Sequence, residues 1–196
     1  MLIEVARKRE WQFIRIIGLF RKLREQCAEQ EIVDFEPRLY AQTAQLSGRS
    51  ESYVRSLVIE WIDRRPLPFL KFCLVPGASR LFDQLQKSGR QIGIFSDYPS
   101  AEKLAAMNLR ADFQISAGDP MVGILKPNPK GLLRLMNIAN VTPDQTVFIG
   151  DRLERDAMVA RRCGVTPLIR SPRAHSEIAT FKRFDDAIFK PILGGN

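Results

Sequence analysis

From about residue 70 onward, short apolar segments alternate regularly with amphipathic, helix-like segments. The apolar segments are "QIGIF", "DFQIS", "TVFIG" and "TPLIR", and a helix-like segment separates each one from the next. This alternation is typical of a parallel sheet whose two faces are both covered by helices. The sequence therefore predicts an α/β fold with a parallel-sheet core over residues 71–196.

Residues 1–70 have a different character and predict a helical region. The stretch "IEVARKREWQFIRIIGLFRKLREQCAEQ" contains no proline, and most of its apolar residues fall at helical spacing. A second helix is predicted between an N-cap at Asp34 and a stop at Gly48, and a third from Ser50 to the residue before Pro66. We therefore divide the chain into a helical region, residues 1–70, and a core, residues 71–196.

Composition and charge exclude several classes of protein. The net charge of +8 would suit nucleic acid, but the basic residues are spread along the chain and no aromatic stacking motif accompanies them. No apolar run is long enough to span a membrane. The basic, amphipathic stretch "RKREWQFIRIIGLFRKLR" could lie on an anionic bilayer, although a helix that covers a core has the same pattern. We predict neither a nucleic-acid nor a membrane partner.

The cysteines and the N-terminus favour a cytoplasmic protein. Cys27, Cys73 and Cys163 are far apart, odd in number and without metal spacing, so they are predicted to be free thiols in a reducing compartment. Charged residues precede any apolar segment at the N-terminus, which argues against a signal peptide. His175, the single histidine, is predicted to be a surface residue.

Polar residues follow two of the predicted strands. Ser96 and Asp97 come directly after "QIGIF", where a hydroxyl and free backbone N–H groups can hold a phosphate. An ordinary helix cap would give the same residues. Lys126 lies in the loop after "DFQIS", and the prolines around it stiffen the backbone, so it could neutralise a phosphoryl group. A solvated surface lysine is the alternative.

An acid pair follows the third predicted strand. Asp151 comes directly after "TVFIG", and Asp156 lies five residues later, at the start of a helical stretch. Two carboxylates that share one place would repel each other, and a hard dication such as Mg²⁺ would offset that repulsion. Alternatively, Asp151 is a helix cap and Asp156 is a surface acid paired with Arg152 or Arg155.

Taken in order, these segments resemble the haloacid dehalogenase superfamily of hydrolases. "IGIFSD" is similar to the second motif of the family, "GILKPNPK" to the third, and "VFIGDRLERDA" to the fourth, which reads GDxxxxD. The resemblance covers roughly residues 70 to 170. It implies a Rossmann-like core under an N-terminal helical cap and a Mg²⁺-dependent phosphatase that works through an aspartyl-phosphate. It also implies phosphate binding by Ser96, Asp97 and Lys126, a catalytic role for Lys126, and metal binding by Asp151 and Asp156.

The first motif of the family, an aspartate pair at the end of the first core strand, has no counterpart here. Asp34 and Asp63 precede the core, but neither follows an apolar strand. We therefore expect the first core strand to be missing, so that its two neighbours pair with each other or receive a strand from elsewhere. Met1 could be internal to a longer active enzyme, the chain could be a shortened relative that binds without hydrolysis, or another chain could supply the strand.

The sequence thus predicts a phosphatase of a small phosphorylated metabolite, recorded without its nucleophile segment. The alternative is a non-catalytic binding or interaction module of the same fold. Neither the substrate nor the oligomeric state follows from the sequence.

Overall fold

A computed structural model describes the backbone of residues 2–194 and the side chains of residues 12–194. The α-helices of this part are Leu2–Glu29 (α1), Phe35–Ser47 (α2), Glu51–Val58 (α3), Leu67–Leu70 (α4), Ala78–Lys87 (α5), Ala101–Ala106 (α6), Lys130–Ala139 (α7) and Met158–Arg162 (α8). The strands are Gly93–Ser96 (β1), Phe113–Ser116 (β2), Val147–Gly150 (β3), Thr166–Arg170 (β4) and Ala179–Phe181 (β5). The fold is α/β with parallel strands, as the sequence predicts.

The helices of residues 1–70 begin and end largely where the sequence predicts. Gly48 adopts a left-handed conformation (φ 64°) and terminates α2, and the Ser50 hydroxyl accepts a hydrogen bond from the Tyr53 backbone N–H at 3.3 Å. Asp34 occupies the N-cap position of α2 as predicted, but its side chain makes no capping hydrogen bond. Its backbone is left-handed, and its N–H donates to the Gly123 carbonyl at 2.7 Å.

The strands form two parallel sheets. Of the two arrangements that the sequence left open, the neighbours of the missing strand do not adopt the one in which they pair with each other. β1 pairs with β2, and β3, β4 and β5 pair in that order. Within residues 2–194, β1 and β3 are not hydrogen-bonded to each other, and no described strand lies between them to link the two sheets. The four predicted strands are confirmed, and β5 is an addition.

One hydrophobic cluster joins the helical region to the sheets. Phe20 of α1 and Phe35 and Leu39 of α2 are at most 1% exposed and belong to the same cluster as Phe95 of β1 and Ile115 of β2. The helices therefore cover one side of the core and hold α1 beside the carboxyl ends of the strands. The domain boundary at residue 70 stays a prediction. None of the described helices combines the length and apolarity that crossing a membrane requires.

Candidate active site at the strand ends

The residues that follow β1 and β3 line one cavity of 420 Å³. Ser96, Asp97, Lys126 and Asp151 all contribute to its wall, and Asp156 is hydrogen-bonded to Lys126 beside it. In parallel sheets, ligands bind outside the carboxyl ends of the strands, which is where this cavity lies. The structure therefore brings all five predicted site residues to one place, while their roles stay predictions.

Asp156 is a buried anchor for its neighbours. One carboxylate oxygen accepts from the Lys126 ammonium at 2.7 Å, and the other accepts from the backbone N–H groups of Asp151 and Arg152, each at 3.0 Å. Burial raises the pKa of Asp156, but the Lys126 charge and these hydrogen bonds together outweigh burial and lower the pKa below its ordinary value of 3.8. The side chain is 5% exposed, so the alternative of a surface acid paired with Arg152 or Arg155 is wrong.

Gly150 is required because Asp156 folds back onto it. A Cβ at position 150 would collide with the Asp156 side chain. The glycine lets β3 end directly against the carboxylate, which then accepts from the N–H of the next two residues. The Gly-Asp spacing of the fourth motif thus has a packing reason in this chain.

Lys126 is held rather than solvated. Its side chain is 13% exposed and lies 5.6 Å from the centre of the Phe95 ring. Its backbone N–H donates to the Asp97 carboxylate at 3.3 Å, and its carbonyl accepts from the Arg155 guanidinium. The alternative of a solvated surface lysine is therefore wrong, and one cation of fixed position faces the cavity.

Ser96 and Asp97 have different roles in the loop after β1. The Ser96 hydroxyl accepts from the Tyr98 backbone N–H at 3.2 Å and can still donate its own proton. The Asp97 carboxylate is only an acceptor, and it holds the Lys126 loop. A phosphate contact at Asp97 would therefore have to use its backbone N–H.

A cluster of ion pairs, which was not predicted from the sequence, connects α1 to the segment after β3. Glu25 accepts from Arg152 at 3.1 and 3.0 Å and from Arg155 at 2.6 Å. The hydrogen bond from Arg152 lowers the pKa of Glu25, and the charges of both arginines add to this effect against burial. Arg155 is 5% exposed, so Glu25 supplies the counter-ion of a guanidinium that is largely shielded from solvent. We name this cluster the Glu25 tie.

The described carboxylates meet only part of what a magnesium ion needs. Asp151 is exposed at the cavity, whereas Asp156 and Asp97 already accept hydrogen bonds. Among residues 12–194, no three His, Cys, Asp or Glu side chains are grouped as a metal site. Octahedral Mg²⁺ commonly keeps several waters and takes one or two carboxylates, so Asp151 can serve but does not complete a site alone.

Comparison with known proteins finds curated phosphatases that match a little under half of the chain. Glyceraldehyde 3-phosphate phosphatase of Pyrococcus furiosus is 31% identical over 94 residues, which are 46% of this chain and 39% of that protein. A probable phosphoglycolate phosphatase of Pseudomonas putida is 32% identical over 93 residues, 46% of this chain and 37% of that protein. The matches thus span less than half the length of these relatives.

Solved structures share the fold. An HAD phosphatase from Thermococcus onnurineus aligns with a TM-score of 0.57 at 21% identity, over 83% of this chain and 89% of the other. A 2-haloacid dehalogenase from Pseudomonas syringae aligns with a TM-score of 0.59 at 16% identity, over 90% and 80%. The family model described as haloacid dehalogenase-like hydrolase matches residues 9–164. This protein therefore belongs to the family of haloacid dehalogenase-like hydrolases.

Proposed function

We propose that this protein contributes the phosphate-binding and cap portions of a Mg²⁺-dependent phosphatase that acts on a small phosphorylated metabolite in the cytoplasm. The observation that carries the proposal is the convergence of Ser96, Lys126 and Asp151 on one cavity. The names of the curated relatives support a small phosphate ester, and glyceraldehyde 3-phosphate and phosphoglycolate are the first substrates to test.

The phosphoryl group would be held between the loop after β1 and the Lys126 ammonium. The Ser96 hydroxyl can donate to one phosphoryl oxygen, and backbone N–H groups after the strand can donate to others. Lys126 offsets the negative charge that builds up during transfer, and the Asp156 carboxylate fixes the position of that ammonium at 2.7 Å. These groups bind and stabilise, but none of them can form a covalent phosphoryl intermediate.

The nucleophile would come from a strand that joins the two sheets. β1 and β3 end at the same cavity but are not paired, so a strand laid between them would have hydrogen-bonding partners on both sides. The first aspartate of an Asp-x-Asp at its carboxyl end would attack phosphorus and form the aspartyl-phosphate as the phosphorus–oxygen bond of the ester breaks. The second aspartate would donate a proton to the leaving alcohol and then take one from water, which would attack phosphorus, release phosphate and regenerate the carboxylate. A segment outside the given sequence, or another chain, would supply this strand.

Mg²⁺ would be held by Asp151 together with that added carboxylate and water. When bound, the ion neutralises charge on the nucleophile and on the transferring group. The residues present here position the substrate: Asp156 aligns Lys126, and Asp97 aligns the Lys126 loop.

A non-catalytic binding module is the second candidate. It is favoured by one observation, that no aspartate of the described residues follows a strand placed between β1 and β3. Such a module would still bind phosphate at Ser96 and Lys126, so turnover rather than binding separates the two candidates.

Replacing Lys126 by methionine should weaken binding of inorganic phosphate at least about tenfold, because a hydrogen bond to a charged group is typically worth about 1.5–3 kcal/mol. Isothermal titration calorimetry measures the change. Lys130→Met, which removes an exposed lysine four residues away, is the matched control and should bind as the wild type does. Equal phosphate affinity in Lys126→Met and wild type would contradict the assignment.

Replacing Asp151 by asparagine should abolish what is expected to be weak Mg²⁺ binding by this chain. The carboxylate charge is the main attraction for the ion, and the carboxylate of the nucleophile that would share it is absent. Calorimetric titration with Mg²⁺ tests this, with Glu154→Gln as the control because Glu154 is also exposed and only three residues away. Identical Mg²⁺ binding by Asp151→Asn and wild type would remove the site from consideration.

A further inference from the structure

Arg24 is a buried arginine of α1 that faces the same cavity. The residue is 6% exposed and lines the cavity with Ser96 and Lys126. Its guanidinium lies 4.0 Å from the centre of the Tyr98 ring and 5.0 Å from the centre of the Phe35 ring. The two aromatic rings therefore fix the guanidinium in place, and any further partner must use its N–H groups.

Within residues 12–194, no carboxylate serves as a counter-ion for Arg24. Among the described residues, no carboxylate forms an ion pair with it and no acceptor receives a hydrogen bond from its side chain, while Glu25, the next residue, is engaged by Arg152 and Arg155. Among the described residues, every side-chain nitrogen that is fully buried has a hydrogen-bond partner. The Arg24 nitrogens have no such partner, so they are in part accessible, and Arg24 lines the cavity. A guanidinium held in this way presents up to five donors to whatever occupies the cavity.

The ligand best suited to this arrangement carries two anionic groups. Lys126 already has Asp156 as a partner, so it can balance only part of the charge of a phosphate ester. Asp151 is exposed at the same cavity and would repel a second anion unless a separate cation received it. The guanidinium fork matches a carboxylate or a second phosphoryl group with two parallel hydrogen bonds.

We propose that Arg24 determines substrate specificity by binding a second anionic group of the substrate, either a carboxylate or a second phosphoryl group. This inference rests on the proposed function, because the first phosphoryl group must occupy the Ser96 and Lys126 end of the cavity. The volume of 420 Å³ is within the range of sites that bind small molecules. A phosphate ester with an uncharged tail would bind at one end only.

Three non-hydrolysable probes test the proposal by titration calorimetry on the full chain: ethylphosphonate, 3-phosphonopropionate and 1,2-ethylenediphosphonate. They share the phosphonate and the carbon linker, and they differ in whether the tail is neutral, a carboxylate or a second phosphonate. One or both of the doubly anionic probes should bind wild type at least about tenfold more tightly than ethylphosphonate, as expected for a charge-assisted pair. The tighter of the two identifies the class of second group.

Substitutions then show whether Arg24 causes the tighter binding of the doubly anionic probes. The advantage of the second anionic group should disappear in Arg24→Gln and persist in Lys22→Gln, which removes an exposed charge two residues away on the same helix. Because Arg24 is buried, Arg24→Lys provides a second test in a variant that keeps the positive charge. The difference in affinity between the doubly anionic probes and ethylphosphonate should become smaller in this variant, since an ammonium cannot form the two parallel hydrogen bonds.

The outcomes separate this inference from the proposed function. If ethylphosphonate binds but neither charged tail improves affinity, or if the improvement survives in both Arg24 variants, the role of Arg24 is refuted and the phosphate site stands. If no phosphonate binds wild type, the proposed phosphate site fails, and the inference that rests on it fails as well.

Discussion

Replacing Asp156 by alanine is expected to lower the free energy of unfolding by about 3–5 kcal/mol, the cost typical of breaking a buried ion pair from one side. The change leaves the Lys126 ammonium, which is 13% exposed, without its counter-ion. It also removes the acceptor for the backbone N–H groups of Asp151 and Arg152. Urea denaturation followed by circular dichroism measures the loss.

The matched control is Asp151→Ala, which removes an exposed carboxylate at the end of the same strand and should change stability by less than about 0.5 kcal/mol. The effect of Asp156 should also depend on pH. Its folded-state pKa is lowered below 3.8, so its stabilisation is complete above pH 3.8 and is lost as the pH falls through the lower folded-state value. The stability difference between wild type and Asp156→Asn should therefore be constant near neutral pH and shrink only in strong acid. Equal losses in Asp156→Ala and Asp151→Ala would contradict the anchoring role.

Adding a strand that ends in Asp-x-Asp between β1 and β3 is expected to raise phosphatase activity by at least about a thousandfold, because the residues of a catalytic unit act together and the remainder supports only residual catalysis. The 196-residue chain should show no useful turnover of p-nitrophenyl phosphate. A longer protein, translated from in-frame upstream DNA that encodes an apolar strand ending in Asp-x-Asp, should hydrolyse it. The readout is release of nitrophenolate with and without Mg²⁺.

The control for this experiment is the longer protein with its first added aspartate changed to asparagine, which keeps the strand and removes the nucleophile. That variant should be inactive, yet it should resist urea better than the shorter chain, since each backbone hydrogen bond left unmade in a buried layer costs roughly 1–3 kcal/mol. Clear Mg²⁺-dependent turnover by the shorter chain would overturn the assignment of roles. Upstream DNA that encodes no such strand would leave the binding module, or a strand from another chain, as the better account.

Local patterns were enough to locate four of the five strands. "TPLIR" coincides with β4, and the other apolar runs overlap β1, β2 and β3 to within a few residues. β5 was missed because it is three residues long and carries no continuous apolar run. The sequence left open whether the neighbours of the missing strand pair with each other, because a hydrophobic pattern shows which segments are strands and not which edges meet.

The candidate site was predictable where its residues follow strands and hidden where they do not. Ser96, Lys126 and Asp151 could be found from the rule that parallel strands present their carboxyl ends to ligands. Arg24 and Glu25 belong to α1, where helical spacing shows which side is buried but not what that side will touch. Their contacts with Tyr98, Arg152 and Arg155 depend on tertiary packing across more than seventy residues of chain.

The Glu25 tie has a consequence for the rate at which ligands exchange. Any motion that lifts α1 from the cavity must separate Glu25 from Arg155 and leave a guanidinium that is 5% exposed without its counter-ion. The Glu25 side chain itself is 47% exposed, so dissolved salt can reach and screen the pair. Ligand release should therefore become faster as the ionic strength rises, and stopped-flow measurements of phosphonate dissociation would show this.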